Sequence, residues 1–215
     1  MKIAVVLFNL GGPDSPEAVQ PFLRNLFSDR AIINLPGIVR LPLARFLSSR
    51  RAVVARKIYE QIGGSSPILG QTEAQARALE GALAGDGNQW RAFVCMRYWH
   101  PMTPEVVQQV RAFAPDRIVL LPLYPQFSTT TTGSSVDAWR REAARLKAST
   151  HLLCCYPQEQ GFVEASVDHL RQELKTLAGT KARVLFSAHG LPEKDRKSTR
   201  LNSSHTDISR MPSSA

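Results

Sequence analysis

"RIVLLPLYPQFSTTTTGSSVDAWR" occupies residues 117–140. It opens as an apolar run rich in Ile, Val and Leu, interrupted by Pro122 and Pro125. A run that is apolar at both alternating positions is what a strand covered on both faces requires. Hydroxyl-bearing residues and Gly133 follow. Trp139, Ala143 and Leu146 then recur at helical spacing. The hydroxyls either cap that helix or line a ligand site. Strand, polar loop and helix in this order make half of a crossover unit, so the fold depends on whether the pattern recurs.

It recurs through the whole chain. "IAVVLFNL", "RAFVCMRYW", "THLLCCYP" and "RVLFSAHG" are further short apolar runs. Helical patterns lie between them. Val19, Phe22, Leu23, Leu26 and Phe27 follow one face; Ser15 can cap that helix, Pro16 suits its first turn, and Pro21 sits awkwardly inside it. Val54, Ile58 and Ile62 mark a second face, Leu79 and Leu83 a third. Thr103-Pro104-Glu105 is a helix start, and Val106, Val107, Val110 and Phe113 continue it. Val167, Leu170, Leu174 and Leu177 mark the last helix. This alternation predicts an α/β layered fold with a largely parallel sheet. The segment "INLPGIVRLPLARFLSSRR", residues 33–51, breaks it. It reads as a loop with a short helix, or as an apolar lip beside a ligand mouth or a membrane surface.

Composition is that of a globular protein, with 43% hydrophobic and 21% charged residues in 215. The apolar runs are far too short to span a membrane, and no secretory signal pattern opens the chain, so a cytoplasmic location is expected. Cys154 and Cys155 are adjacent, a poor arrangement for bridging, so the three cysteines are expected to be free thiols. The formal charge is +9. The Lys and Arg residues are scattered and accompany no nucleic-acid-binding motif, which argues against nucleic acid and leaves an anionic ligand or a basic surface.

In an open α/β sheet, ligands bind outside the carboxyl ends of the strands. "NLGGPDS", "HPMT", "QFSTTTTGSS" and "HGLP" follow the apolar runs, and "IGGSSPI" follows the second helix. Gly11-Gly12-Pro13 lacks the spaced glycines of a dinucleotide fingerprint. "GGSSP" can cradle an anion with backbone N–H groups, or be a plain turn. His189 ends an apolar run and is followed by Gly190 and Pro192. An imidazole there can accept a proton near neutral pH or present a nitrogen to a metal ion; its other reading is a structural histidine. His100, His151 and His169 have no comparable position, and no HExxH or paired CxxC suggests a closed zinc site.

Taken together, "NLGGPDS", "IGGSSPI", "MRYWHPMT", "LPLYPQFSTTTTGSS" and "FSAHGLP" resemble, in this order, the ferrochelatases, which insert ferrous iron into a porphyrin. The resemblance runs from about residue 3 to residue 194. It implies two Rossmann-like lobes with parallel sheets: residues 1–156 as the first lobe, residues 157–194 as the start of a truncated second. It implies a catalytic role for His189, as proton acceptor or metal ligand, with Arg97 and Tyr98 as the pair lining the cleft near the metal. Tyr124 matches a second cleft tyrosine. Arg51 and Ser66 match residues that hold propionates, and Leu10 lies against the macrocycle. Leu10 in place of tyrosine points toward protoporphyrin rather than coproporphyrin. Iron is then a substrate and no cofactor is required; the iron–sulfur cluster of some family members falls in a region outside this chain. Peripheral membrane contact and oligomeric state stay open. A non-catalytic porphyrin- or haem-binding module, or a chelatase for another metal and tetrapyrrole, are the alternatives.

Residues 195–215, "DRKSTRLNSSHTDISRMPSSA", have no helical or strand period and read as a disordered tail. They are similar to a translated sequencing-library adapter, so a non-native tail is expected. With the second lobe cut short, the chain by itself is expected to have no turnover.

Overall fold

The computed structural model describes residues 1–177 and 179–186. Four strands form one parallel sheet in the order β2-β1-β3-β4. They are β1 (Lys2–Asn9), β2 (Gln89–Met96), β3 (Arg117–Pro122) and β4 (Ser149–Leu152). The register aligns Val5 with Ala92 on one side and with Val119 on the other. Between β1 and β2 lie α1 (Val19–Ser28), α2 (Gly37–Glu60) and α3 (Ile68–Leu83). Helix α4 (Thr103–Phe113) joins β2 to β3, α5 (Ser134–Glu142) joins β3 to β4, and α6 (Gln160–Thr176) follows β4.

Residues Ile3 to Phe8 of β1 are all buried, because both sheet faces are covered. Ala4, Val6 and Phe8 face α4 and α5, where they meet Val106, Val110 and Trp139. Val5 and Leu7 point the other way, toward Ala76, Leu79 and Leu83 of α3. The period of two along the strand thus sorts one sequence into two cores. The chain moves from β1 to β2 on one side, then crosses back to β3 on the other. That reversal creates a switch point between the carboxyl ends of β1 and β3, where open α/β sheets bind their ligands.

Four of the five expected strands form. The fifth does not within the described residues: Lys181 to Phe186 have no regular structure. The rest of that run, including His189, lies outside the described residues, as do residues 187–215.

The chief departure from expectation is α2. Residues 33–51 were expected as a loop with a short helix, and Val54, Ile58 and Ile62 as the buried face of the next. The structure instead makes one helix of 24 residues with Pro42 inside it. Its buried strip is Ala44, Ser48 and Ala52, spaced by four. Small residues let α2 lie close against α1, so the large apolar side chains point away. Val54 and Ile58 are 62% and 58% exposed. Pro42 costs the helix one hydrogen bond, the one its missing N–H would have made to Ile38.

Smaller corrections have local causes. Ser15 accepts the Ala18 N–H, but α1 starts only at Val19, so Pro21 falls in its first turn, where no N–H partner is needed. A single π-type turn, Thr129–Gly133, precedes α5, which ends at Glu142; Ala143 and Leu146 therefore pack on the core from beyond the helix. Cys154 and Cys155 are joined as a vicinal disulfide rather than left as thiols, and Cys95 is free and buried. Beyond Leu152 the strand alternation that would separate neighbouring side chains has ended.

Candidate functional site

Three loops meet at the switch point. The first leaves β1 as Asn9-Leu10-Gly11-Gly12-Pro13. Arg97 and Tyr98 donate their backbone N–H groups to the carbonyls of Asn9 and Leu10, at 2.9 and 3.0 Å. The β1–β2 pairing thereby continues past the strand ends and sets Leu10 beside the Arg97-Tyr98 loop. Gly11 has φ +82°, a conformation side chains avoid, and a Cβ there would come within 3.0 Å of the Trp99 nitrogen. Gly12 is required by proximity alone: a Cβ would stand 2.5 Å from both Cβ and Oγ of Ser66. Ser66 closes the contact by donating its N–H to the Pro13 carbonyl at 2.7 Å. The "GGSSP" loop is therefore held directly on the "NLGGP" loop.

The second loop carries Arg97 and Tyr98. Tyr98 is 1% exposed. Its hydroxyl donates to Asp29 Oδ2 at 2.8 Å, and Arg97 Nη2 donates to the same oxygen at 2.7 Å. Ser134, the first residue of α5, donates its hydroxyl to that oxygen too, and accepts from Arg97 Nε at 2.6 Å. The Arg97 and Asp29 side chains are 17% and 9% exposed. In such partial burial a charge-assisted pair is stronger than its surface counterpart. The guanidinium also lies 5.0 Å from the Tyr98 ring centroid.

The third loop follows β3 and carries Tyr124. Leu123 donates its N–H to the Phe8 carbonyl, which keeps this loop against β1. Ser128 Oγ accepts the Thr130 N–H, so the hydroxyl-rich stretch does cap a helical turn. Helix α5 then presents Ser134 to Arg97 and Asp29.

The electrostatics follow from burial and from these bonds. Burial alone pushes the Asp29 carboxyl up, but the hydrogen bonds from Ser134, the Ala31 N–H and Tyr98, with the Arg97 charge, outweigh it and hold the group below its usual value. Burial, reinforced by the Asp29 charge, pushes the Tyr98 phenol well up. Burial does the same to Tyr124, against the opposing effect of Ser135 beside it. Both phenols are therefore neutral at physiological pH. The Cys95 thiol, buried under the site, is pushed up to about 12 and is not a nucleophile.

The structure thus brings together Leu10, Ser66, Arg97, Tyr98 and Tyr124 around the ends of β1, β2 and β3. Arg51 lies on α2 rather than on these loops: it is exposed, with its guanidinium 6.0 Å from the Phe27 ring centroid. Asp29 and Ser134 were not anticipated. Asp29 is 68 residues from Arg97 and Ser134 is 105 from Asp29, so no local spacing announces the cluster. Among the described residues, no group of three or more His, Cys, Asp or Glu side chains is arranged to hold a metal.

Known proteins resemble this chain over most of its length. The family model described as ferrochelatase matches residues 2–206. A ferrochelatase of Caulobacter vibrioides is 55% identical over 196 residues, covering 90% of this chain and 56% of the relative. One of Phenylobacterium zucineum is 56% identical over 197 residues, covering 90% and 57%. One of a Wolbachia from Drosophila simulans is 53% identical over 196 residues, covering 89% and 62%. The chain spans little more than half the length of these relatives. With its parallel sheet and its loops converging at the switch point, the chain belongs to the ferrochelatase family.

Proposed function

We propose that the protein containing this chain is a lyase that inserts ferrous iron into a porphyrin to form haem, and that this chain supplies one wall of the porphyrin cleft. The observation that carries the reading is the Arg97–Asp29–Tyr98–Ser134 network at the β1/β3 switch point of a ferrochelatase-family chain. A porphyrin is a large apolar plate with anionic propionates. Leu10 lies against its face, while Arg51 and Ser66 take the propionates, the arginine by charge and the serine by its hydroxyl. Tyr124 lines the cleft, Tyr98 packs beneath it with its hydroxyl on Asp29, and Arg97 supplies fixed N–H donors.

Iron and a free-base ring combine with release of two pyrrole protons, so the site needs a proton acceptor. Tyr98 is neutral and already donates its hydroxyl to Asp29. Arg97 is a permanent cation. The Asp29 carboxylate is engaged by its donors and held below its usual value. The resemblance gives that role to His189: an imidazole can accept a proton near neutral pH or offer a nitrogen to the incoming iron. Iron is the substrate, and the chemistry calls for no resident cofactor. Protoporphyrin is the preferred ring on account of Leu10. The exposed Ile38, Val39 and Phe46 of α2 suit a peripheral contact with the membrane surface from which an apolar ring would be collected. No helix among the described residues is long and apolar enough to cross a membrane. The reaction is assigned to the cytoplasm.

The test is anaerobic metal insertion, followed by the change in porphyrin absorbance, in the full-length protein with and without His189→Ala. Loss of insertion with retained porphyrin binding supports the reading. Insertion at an unchanged rate refutes the role of His189, and failure to bind any porphyrin refutes the reading as a whole.

A further inference from the structure

Asp29 stands where α1 ends and serves different neighbours with different atoms. Its N–H donates to the Leu26 carbonyl at 3.2 Å, and its own carbonyl accepts from Ile32 and Ile33 at 3.1 and 2.9 Å. Its Oδ1 accepts the Ala31 N–H at 2.9 Å. These bonds shape the turn that leads into α2. Its Oδ2 serves the other side, accepting from Arg97, Tyr98 and Ser134. One side chain thereby joins the end of α1, the loop after β2 and the start of α5.

The consequence for Arg97 is geometric. An arginine side chain is long and samples many rotamers, and an unheld one loses that freedom when it meets a ligand. Here Nε is fixed on Ser134 and Nη2 on Asp29. Two of its nitrogens are thus anchored, which gives its remaining N–H groups a fixed direction. The Asp29 charge also offsets that of Arg97, which makes the pair an orienting device rather than a bare cation.

We propose that Asp29 is a positioning residue of the porphyrin site, holding Arg97 and Tyr98 through one carboxylate oxygen and coupling their placement to the turn before α2. This rests on the porphyrin reading given above. Asp29 touches no substrate in this scheme; it acts through Arg97.

The test uses the full 215-residue chain as the unsubstituted protein and as Asp29→Asn, Asp29→Glu, Arg97→Gln and the Asp29→Asn/Arg97→Gln double variant. Protoporphyrin fluorescence quenching reads affinity, and the 15N resonances of the Arg97 Nη–H groups read the bond to Asp29 without any ligand. Asp29→Asn is expected to weaken porphyrin binding by about tenfold, the size of one lost charge-assisted contact. Asp29→Glu, which keeps the carboxylate, is expected to recover part of that loss. The double variant is expected to bind no more weakly than Arg97→Gln alone, because one residue acts through the other. The Nη–H signals are expected to shift in Asp29→Asn. Independent, additive losses overturn the proposal, as does an Asp29→Asn chain with a lower melting temperature and unchanged affinity. If the unsubstituted chain quenches nothing, the porphyrin reading falls by itself; shifted Nη–H signals in Asp29→Asn then still support the hold on Arg97, and unchanged ones overturn it.

Discussion

Gly12→Ala adds a single methyl group where two loops of the site touch. The new Cβ would stand 2.5 Å from the Cβ and Oγ of Ser66 and 3.3 Å from Cγ2 of Ile68. Carbon atoms in contact prefer about 3.5–4.0 Å, so Ser66 must retreat by roughly 1 Å. It cannot do so freely, because its N–H is bonded to the Pro13 carbonyl at 2.7 Å. Overpacking of this kind costs about 1–3 kcal/mol. In a chain of this size each kcal/mol lowers the melting temperature by about 2–4 °C. The same displacement moves the Ser66 hydroxyl, so porphyrin affinity should fall with stability. The assay is a thermal melt paired with a protoporphyrin titration. The double variant Gly12→Ala/Ser66→Gly removes the opposing Cβ and should regain most of the lost melting temperature while leaving the affinity low. A Gly12→Ala chain that melts and binds as the unsubstituted one does, or a double variant that regains nothing, would refute the close-approach argument.

Asp29 also predicts a pH dependence. Its carboxyl is lower in the folded chain than in the unfolded one, so the unfolded state binds more protons between the two values. The stabilisation is present above the unfolded value, about 3.9, and is lost as pH falls through the folded one. Urea midpoints measured between about pH 3 and pH 5 should rise more steeply for the unsubstituted chain than for Asp29→Asn; equal slopes would contradict the network. Trp139→Ala empties a site that is 2% exposed and edge-on to Phe8 at 6.1 Å, and should cost about 3–5 kcal/mol in urea unfolding. Pro42→Ala should restore a helical hydrogen bond to Ile38 and raise the melting temperature, as removal of an interior helix proline worth up to about 3 kcal/mol implies; a fall would mean that the proline ring is needed where it lies.

The sheet was legible because its signal is local. Ile3 to Phe8 and the Ile118 to Leu121 run are apolar on both faces, and Thr103-Pro104-Glu105 marks α4, where Glu105 accepts the Met102 N–H. Helix α2 was not legible, because its buried strip is Ala44, Ser48 and Ala52, while the side chains that look like a core face water. Small residues carry little hydrophobic signal, yet they decide how closely two helices approach. The site divides in the same way. Arg97, Tyr98 and Tyr124 sit in recognisable motifs at strand ends, and Ser66 in one between α2 and α3. Asp29 does not: an acid after a helix has many possible uses, and its partners are distant in sequence. The Cys154–Cys155 link was missed for the opposite reason, since adjacency itself argued against it.

The central claim is that the loops after β1, β2 and β3 form a porphyrin-binding wall. The most direct measurement is a titration of the 215-residue chain with protoporphyrin, read by fluorescence quenching, beside the Arg97→Gln and Arg51→Ala variants. Saturable quenching that each substitution weakens by about tenfold or more is the predicted result, since each removes a charge-assisted contact. No saturable quenching, or quenching of equal strength in all three proteins, would contradict it.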